Sequence, residues 1–381
     1  MLMRFSWLAL IAVAFCFLMS CGKNSKFSST NTMYVATQSA AQVWGYRANF
    51  NNGSLSTING SPFTAQPAFA ILIDPTQSFA YLATTAGQIL RFSFDLNGSL
   101  VPVSGGQGVP TGGASPVALA MDPGGKFLFV ANQGTGVAGS SSISVFSVGS
   151  GAALTPVPGS PFTVRLPLNF PLANPNPAAV GMVVQSALNL LYVVDENDGY
   201  VLTYPYDSNT GVLPANSTQG TLAGTAPAAA AMNPAGTLLY VANFGSNNVS
   251  GFAIGTTAQQ GLGSLTPLDK SPFAAELGPI SAAVDPSGQF LYVVDQASNQ
   301  ISGYRINPTT GDLSPTIGSP YNTGAGPIFV AISPINKFLY VSNNAAATVA
   351  GFSIDPAGGN LSTVTPAVTT GTQPTGIAFG K

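Results

Sequence analysis

The chain contains no histidine in 381 residues. That removes the usual side chain that titrates near neutral pH, the Ser-His-Asp triad and every imidazole metal site. Charge is scarce too: Lys, Arg, Asp and Glu make up 6% of the residues, against about 25% in ordinary soluble domains. The formal net charge is −2. No basic stripe exists for nucleic acid. Solubility must come from uncharged polar groups, which fits an extracytoplasmic protein. Only two cysteines occur, Cys16 and Cys21. The sequence offers no metal site and no cofactor motif. Long helices are excluded by 43 Gly and 30 Pro, which disfavour helix interiors.

The first 20 residues have the form of an export signal: Arg4, then an apolar run from Phe5 to Met19. The run ends Leu18-Met19-Ser20-Cys21-Gly22, which resembles a bacterial lipobox. The resemblance implies cleavage before Cys21 and acylation of that residue, and several acyl chains together anchor a protein stably. The expectation is a signal peptide at 1–20, a flexible polar tether at 21–32 and a folded domain at 33–381. The location expected is the cell envelope, as a periplasmic or outer-membrane lipoprotein. Loss of Cys16 with the signal would leave one cysteine and no intrachain disulfide.

Beyond the tether one unit recurs. An aromatic followed by small apolar residues appears at Tyr34, Tyr81, Phe129, Tyr192, Tyr240, Tyr292 and Tyr340, at intervals of 47, 48, 63, 48, 52 and 48 residues. Turns such as Asp122-Pro-Gly-Gly and Asp285-Pro-Ser-Gly precede it, and alternating segments such as 143–148 follow. β-Branched and aromatic residues separated by Gly, Pro, Asn and Asp read as four short strands, here A to D, in each unit. Four strands per 45–50 residues is the signature of a propeller blade. The fold predicted is an all-β, seven-bladed propeller of four antiparallel strands per blade. The first unit lacks strand A, and Pro374–Gly380 matches the missing strand. The ring should therefore close by the C-terminal strand joining the N-terminal blade, which removes open sheet edges.

Candidate site residues follow from topology, because D–A and B–C loops share one face around the channel mouth. Each B–C loop begins with a polar residue: Thr37, Thr84, Asn132, Asp195, Asn243, Asp295 or Asn343. These are expected to ring the mouth, with local turn bonding as the competing use of such residues. One loop concentrates acids in Asp195-Glu196-Asn197-Asp198. The D–A connection before it is the longest and carries Arg165, in reach of those acids. Such acids can bind a hard cation or sugar hydroxyls. Glu276 sits in the D–A loop before the blade of Asp295, so the two can form a paired-carboxylate site. Arg47 and Arg305 are expected at the surface, off the axis. The Gly134-Thr-Gly136-Val-Ala-Gly139 segment matches G-x-G-x-x-G, but a strand follows where a dinucleotide site needs a helix, so no nucleotide is expected.

The Asp-Pro-x-Gly turn, the Phe-Leu-Tyr-Val-Ala strand and the Gly-x-Leu-x-Pro approach to strand D resemble the YVTN-repeat, lactonase-like propellers. That family includes the propeller 6-phosphogluconolactonases and the muconate-cyclising enzymes. The resemblance implies the fold across residues 33–381 and a hydrolytic site near the channel mouth. In this chain any role that the family gives to histidine passes to Asp, Glu, Arg or water. The residues alone rank first a non-catalytic binding or scaffolding module, with a carbohydrate, peptide or protein ligand on Arg165, Asp195, Glu196, Asp198, Asn243, Glu276 and Asp295. The alternative is a lactonase-type carboxylic ester hydrolase with a histidine-free site.

Overall fold

The computed structural model describes residues 30–168, 170 and 175–380. The expected signal segment and Cys21 lie outside them. Seven antiparallel sheets surround an axis. Blade 1 combines Pro374–Gly380 as strand A with Thr30–Thr37, Gln42–Asn49 and the split strand Leu55–Thr57 and Phe63–Thr64. Blades 2 to 7 span residues 68–110, 116–163, 179–222, 227–274, 279–322 and 327–369. The closing strand pairs as predicted, with Tyr34 opposite Ala378 and Val35 opposite Ile377. Thr30, Asn31 and Thr32 already pair with Asn49, Ala48 and Arg47. The expected tether thus loses its last three residues to strand B.

Strands A line the axis. Ala118, Gly181, Ala229, Ser281 and Gly376 lie where room is least, and the enclosed channel holds about 290 Å³ between largely apolar walls. Small residues there suit the taper of a blade toward its centre. Strand B is fully buried in blades 3, 4, 6 and 7, and in blades 2 and 5 all but its first residue is, because its two faces pack on two neighbouring sheets. Each hydrophobic cluster spans two blades. Tyr340 and Val349 of blade 7, for instance, pack with Met33, Val35 and Tyr46 of blade 1.

The recurring tyrosine has a second use. Its hydroxyl donates to a glycine carbonyl in the next blade's C–D loop: Tyr192 to Gly263 at 3.0 Å, Tyr240 to Gly311 and Tyr292 to Gly359 at 2.7 Å. Tyr340 donates to Gly53 at 2.9 Å and so ties blade 7 to blade 1. Gly53 has φ +75°, and a Cβ there would meet the Phe338 ring at 2.5 Å, so only glycine fits.

The A–B turns close on their first side chain. Asp285 Oδ1 accepts from the amides of Gln289 and Phe290, both at 2.7 Å, and Asn233 Oδ1 does the same for Thr237 and Leu238 at 2.9 Å. A Gly-Ser-Pro-Phe run, as at 60–63, interrupts strand D. The serine hydroxyl fills the gap by accepting a strand-C amide at 2.9 Å, as Ser61 does for Gly45 and Ser271 for Gly251. The Gly134–Gly139 segment is a hairpin loop leading into the strand Ser142–Val148.

Candidate functional site

B–C and D–A loops do share a face. The first B–C amide donates to a D–A carbonyl in blade after blade, as Glu196 does to Ala178, Phe244 to Ala226 and Gln296 to Gly278. The seven polar residues that close strand B do not ring the mouth, however. Thr37, Thr84, Asn132, Asp195, Asn243, Asp295 and Asn343 all have 0% exposure. Each lies beneath its own hairpin and binds locally: Asn132 Nδ2 donates to Ser144 Oγ at 2.8 Å and Asn243 Nδ2 to Ser250 Oγ at 2.9 Å. Local turn bonding, not ligand capture, is their use.

Two of the seven are acids, and they are satisfied unequally. Asp295 Oδ2 accepts from Ser302 N at 3.0 Å and Ser302 Oγ at 2.7 Å. Its Oδ1 has no partner. Burial raises its pKa to about 7, and the charge of Glu276 adds to the rise while Ser302 opposes it. The expected Glu276–Asp295 pair therefore exists as an electrostatic neighbourhood, with Glu276 half-buried and Asp295 sealed beneath it.

In blade 4 the register puts Leu202 where blades 3, 5 and 6 place Ser144, Ser250 and Ser302. Asp195 thereby loses its hydroxyl donor. Its Oδ1 accepts from Ala178 N at 2.8 Å, and no donor reaches its Oδ2. Burial lifts its pKa to about 7, the Ala178 amide opposes this, and the charge of Asp198 reinforces it. Asp198 is raised as well, again by burial first. The Asn176 amide, at 2.9 Å from Oδ2, and the Asp195 carboxyl pull it back down. The two carboxyls are electrostatically coupled, with Asp195 in the dry position and Asp198 nearer solvent.

Asp198 lines a cleft of about 380 Å³ between blades 4 and 5. Gly199, Thr225, Ser246 and Asn248 share the wall. Ser246 Oγ receives the Thr225 amide at 3.2 Å and lies 3.2 Å from Asn248 Oδ1. Asn248 is held in turn by Asn243 Nδ2 at 2.8 Å, so Asn243 supports the cleft from below. A volume of this size suits one small organic ligand.

The other expected residues go elsewhere. Glu196 accepts from Gln133 Nε2 of blade 3 at 2.9 Å. Arg165 is exposed and lines a separate cavity of about 430 Å³ with Leu166 and Phe170. Among the described residues no ion pair joins it to the acids; the one ion pair there is Lys270–Asp312 at 3.6 Å. The acids of the 195–198 loop turn toward three different surroundings, and among the described residues no three of His, Cys, Asp and Glu gather around a metal-sized point. Sequence reasoning missed Thr225, Ser246 and Asn248. The polar run Ser246-Asn-Asn248 in the next B–C loop was the available signal.

Seven blades, a largely apolar core channel and a carboxyl-bearing cleft on the loop face define a propeller whose loop face carries a small pocket. The chain belongs to the family described as "Lactonase, 7-bladed beta-propeller", whose model matches residues 31–159, 181–326 and 315–381. No curated protein matches significantly. Among solved structures, a candidate 6-phosphogluconolactonase from Bacteroides uniformis superposes with TM-score 0.79 at 18% identity, covering 92% of this chain and 100% of its own. The periplasmic gluconolactonase of Pseudomonas aeruginosa superposes with TM-score 0.78 at 20% identity, covering 93% and 99%. Likeness at that level of identity establishes the fold.

Proposed function

We propose that this chain is a lactone hydrolase, acting on an uncharged sugar lactone in the cleft between blades 4 and 5. The family match favours this reading over the non-catalytic module that the residues alone ranked first. The observation that carries it is Asp198, a carboxyl of raised pKa in a sugar-sized cleft, backed by the buried Asp195. Asp198 takes a proton from water as that water's oxygen bonds to the lactone carbonyl carbon. The ring C–O bond then breaks, and the leaving alkoxide takes the proton back from Asp198. A general base of this kind contributes about 10²–10⁴-fold. The Thr225 hydroxyl and the Asn197 and Asn248 amides line the cleft as side-chain donors for the carbonyl oxygen.

No Lys or Arg lines the cleft, so a phosphate there would sit beside Asp198 with no counter-charge. Purified protein is expected to hydrolyse δ-gluconolactone at least tenfold faster, by kcat/KM, than its 6-phospho derivative. A pH-stat assay checks this after subtraction of spontaneous hydrolysis. Preference for the phosphorylated lactone, or turnover of neither, sinks the proposal.

We propose further that the domain is exported and held at the membrane through an acylated Cys21. An uncharged sugar lactone fits that location. Cells fed labelled palmitate should incorporate it into the wild-type chain but not into a Cys21→Ser variant; equal labelling of both refutes the anchor.

A further inference from the structure

A cavity of about 840 Å³ opens on the opposite face, at the seam where blade 7 meets blade 1. Asn51 and Asn52 of the blade 1 C–D loop form one wall. Asn336 and Lys337 of the blade 7 A–B turn form the other, with Ser353 and Thr363 beside them.

Comparison with its sister seams explains why this one gapes. Among the described residues a cation crosses five of the seven. Arg47 Nη2 donates to Asn97 O at 2.7 Å, Arg91 Nη1 to Ala152 O at 3.2 Å, Lys126 Nζ to Ser208 O at 2.9 Å and Arg305 Nη1 to Ala357 O at 2.9 Å. Lys270 pairs with Asp312 at the fifth. At the seam of blades 4 and 5 the C–D loop 255–264 is longer and carries its own 3-10 turn.

At the 7–1 seam two of these clamp positions are filled differently. Arg47 and Arg305 stand opposite Thr32 and Phe290, two residues before the strand-B tyrosine; the same register in blade 7 sets Ser353 opposite Phe338. Serine stands at this register in blades 2 and 3 as well, as Ser93 and Ser147, but Arg91 and Lys126 cross those seams from other positions; at the 7–1 seam no cation crosses among the described residues, and the space stays open. Lys337 occupies the turn position of Lys126: both precede a Phe, and their carbonyls accept from Ile354 N and Val148 N. Lys126 reaches across its seam. The Lys337 ammonium makes no hydrogen bond or ion pair among the described residues and is exposed at the cavity. Asn336 donates from Nδ2 to Asp285 at 2.7 Å, while its buried Oδ1 has no partner.

The lining therefore combines one free cation, three amides and three hydroxyls with an apolar floor of Ile335, Ile354 and Val364. Amides and hydroxyls match sugar hydroxyls, the apolar floor matches the C–H face of a pyranose, and a lone ammonium matches one acidic group. We propose that this seam is a binding site for an acidic saccharide, one bearing a carboxylate or a phosphate, separate from the hydrolytic cleft and independent of it.

Calorimetric titration of the folded wild-type protein with D-glucuronate, glucose 6-phosphate and glucose tests the proposal. Saturable binding of at least one acid is expected, with glucose weaker by about tenfold, the difference that one charge-assisted contact makes. Which acid binds tells carboxylate from phosphate. Lys337→Ala, at an exposed position, should keep the wild-type circular dichroism and weaken that acid by about tenfold. Ser353→Arg, which rebuilds the clamp of Arg305, should abolish binding. Failure of both acids to bind, glucose binding equally well, or an unchanged affinity in Lys337→Ala overturns the assignment.

Discussion

Asp198→Asn is expected to lower kcat for lactone hydrolysis by at least about 100-fold, the lower range for loss of a general base, with little change in KM. The asparagine keeps the volume and can still accept the Asn176 amide, so the loop should hold and the loss should be chemical. Asp195 gives the discriminating control. It is sealed off and acts only through Asp198, as a positioning residue. Asp195→Asn is expected to retain activity within about tenfold, because a general base in place carries the larger factor. It should remove the inflection expected near pH 7 in the wild-type pH–rate profile, since burial raises the Asp195 pKa to about 7. Activity should fall toward acid in both proteins, as Asp198 takes up a proton and ceases to be a base. An Asp198→Asn protein that is folded and fully active would remove the cleft from consideration, whatever the status of the family's fold.

Asp295→Asn should stabilise the propeller at alkaline pH and leave it unchanged in acid. The carboxyl is wholly buried and its pKa is raised from 3.8 to about 7. Between those values the folded chain holds a proton that the unfolded chain has released, so stability falls as pH climbs through the window. Below 3.8 both states are protonated and the full contribution is present; above about 7 it is gone. Blades 3, 5 and 7 already carry Asn132, Asn243 and Asn343 at this register, and the amide has Ser302 Oγ to donate to, as Asn243 has Ser250. Removing the buried charge is expected to add about 1–3 kcal/mol at pH 8, a discounted share of what a three-unit shift represents, and nothing at pH 4. Urea melts of both proteins at the two pH values check it. An equal change at both, or a loss at pH 8, would mean that the carboxylate is held in a friendlier setting than its burial implies.

Much of the fold was legible because blade chemistry is local. A two-residue alternation, an Asp whose carboxylate caps its own turn and a Gly that alone fits a left-handed C–D loop all act within a few residues. Repetition made the ring legible too, since Pro374–Gly380 is recognisable as a strand A only against six others. The site was less legible. Thr37, Asn132, Asp195 and their counterparts were rightly placed at the ends of strands B, yet a side chain's direction depends on pairing register. In Asn132 opposite Ser142 and Asp295 opposite Gln300, that register turns the polar group under the hairpin. Only Asp198 among the acids of its loop reaches the cleft, because the Asn176 amide and the 175–178 segment hold it there.

By itself the sequence determined seven repeats, their four strands, the closure of the ring and a chemistry without imidazole, because each depends on residue type and spacing along the chain. The tertiary structure alone decided which carboxyls are dry, which of them lie close enough to interact and which seam stays open. Those depend on what the neighbouring strand or blade presents across a few ångströms. Leu202 stands where blades 3, 5 and 6 offer a hydroxyl to the counterpart of Asp195, and Ser353 faces Phe338 where blades 1 and 6 offer a guanidinium. Burial and an absent partner are properties of the packed neighbourhood, and no single strand encodes them.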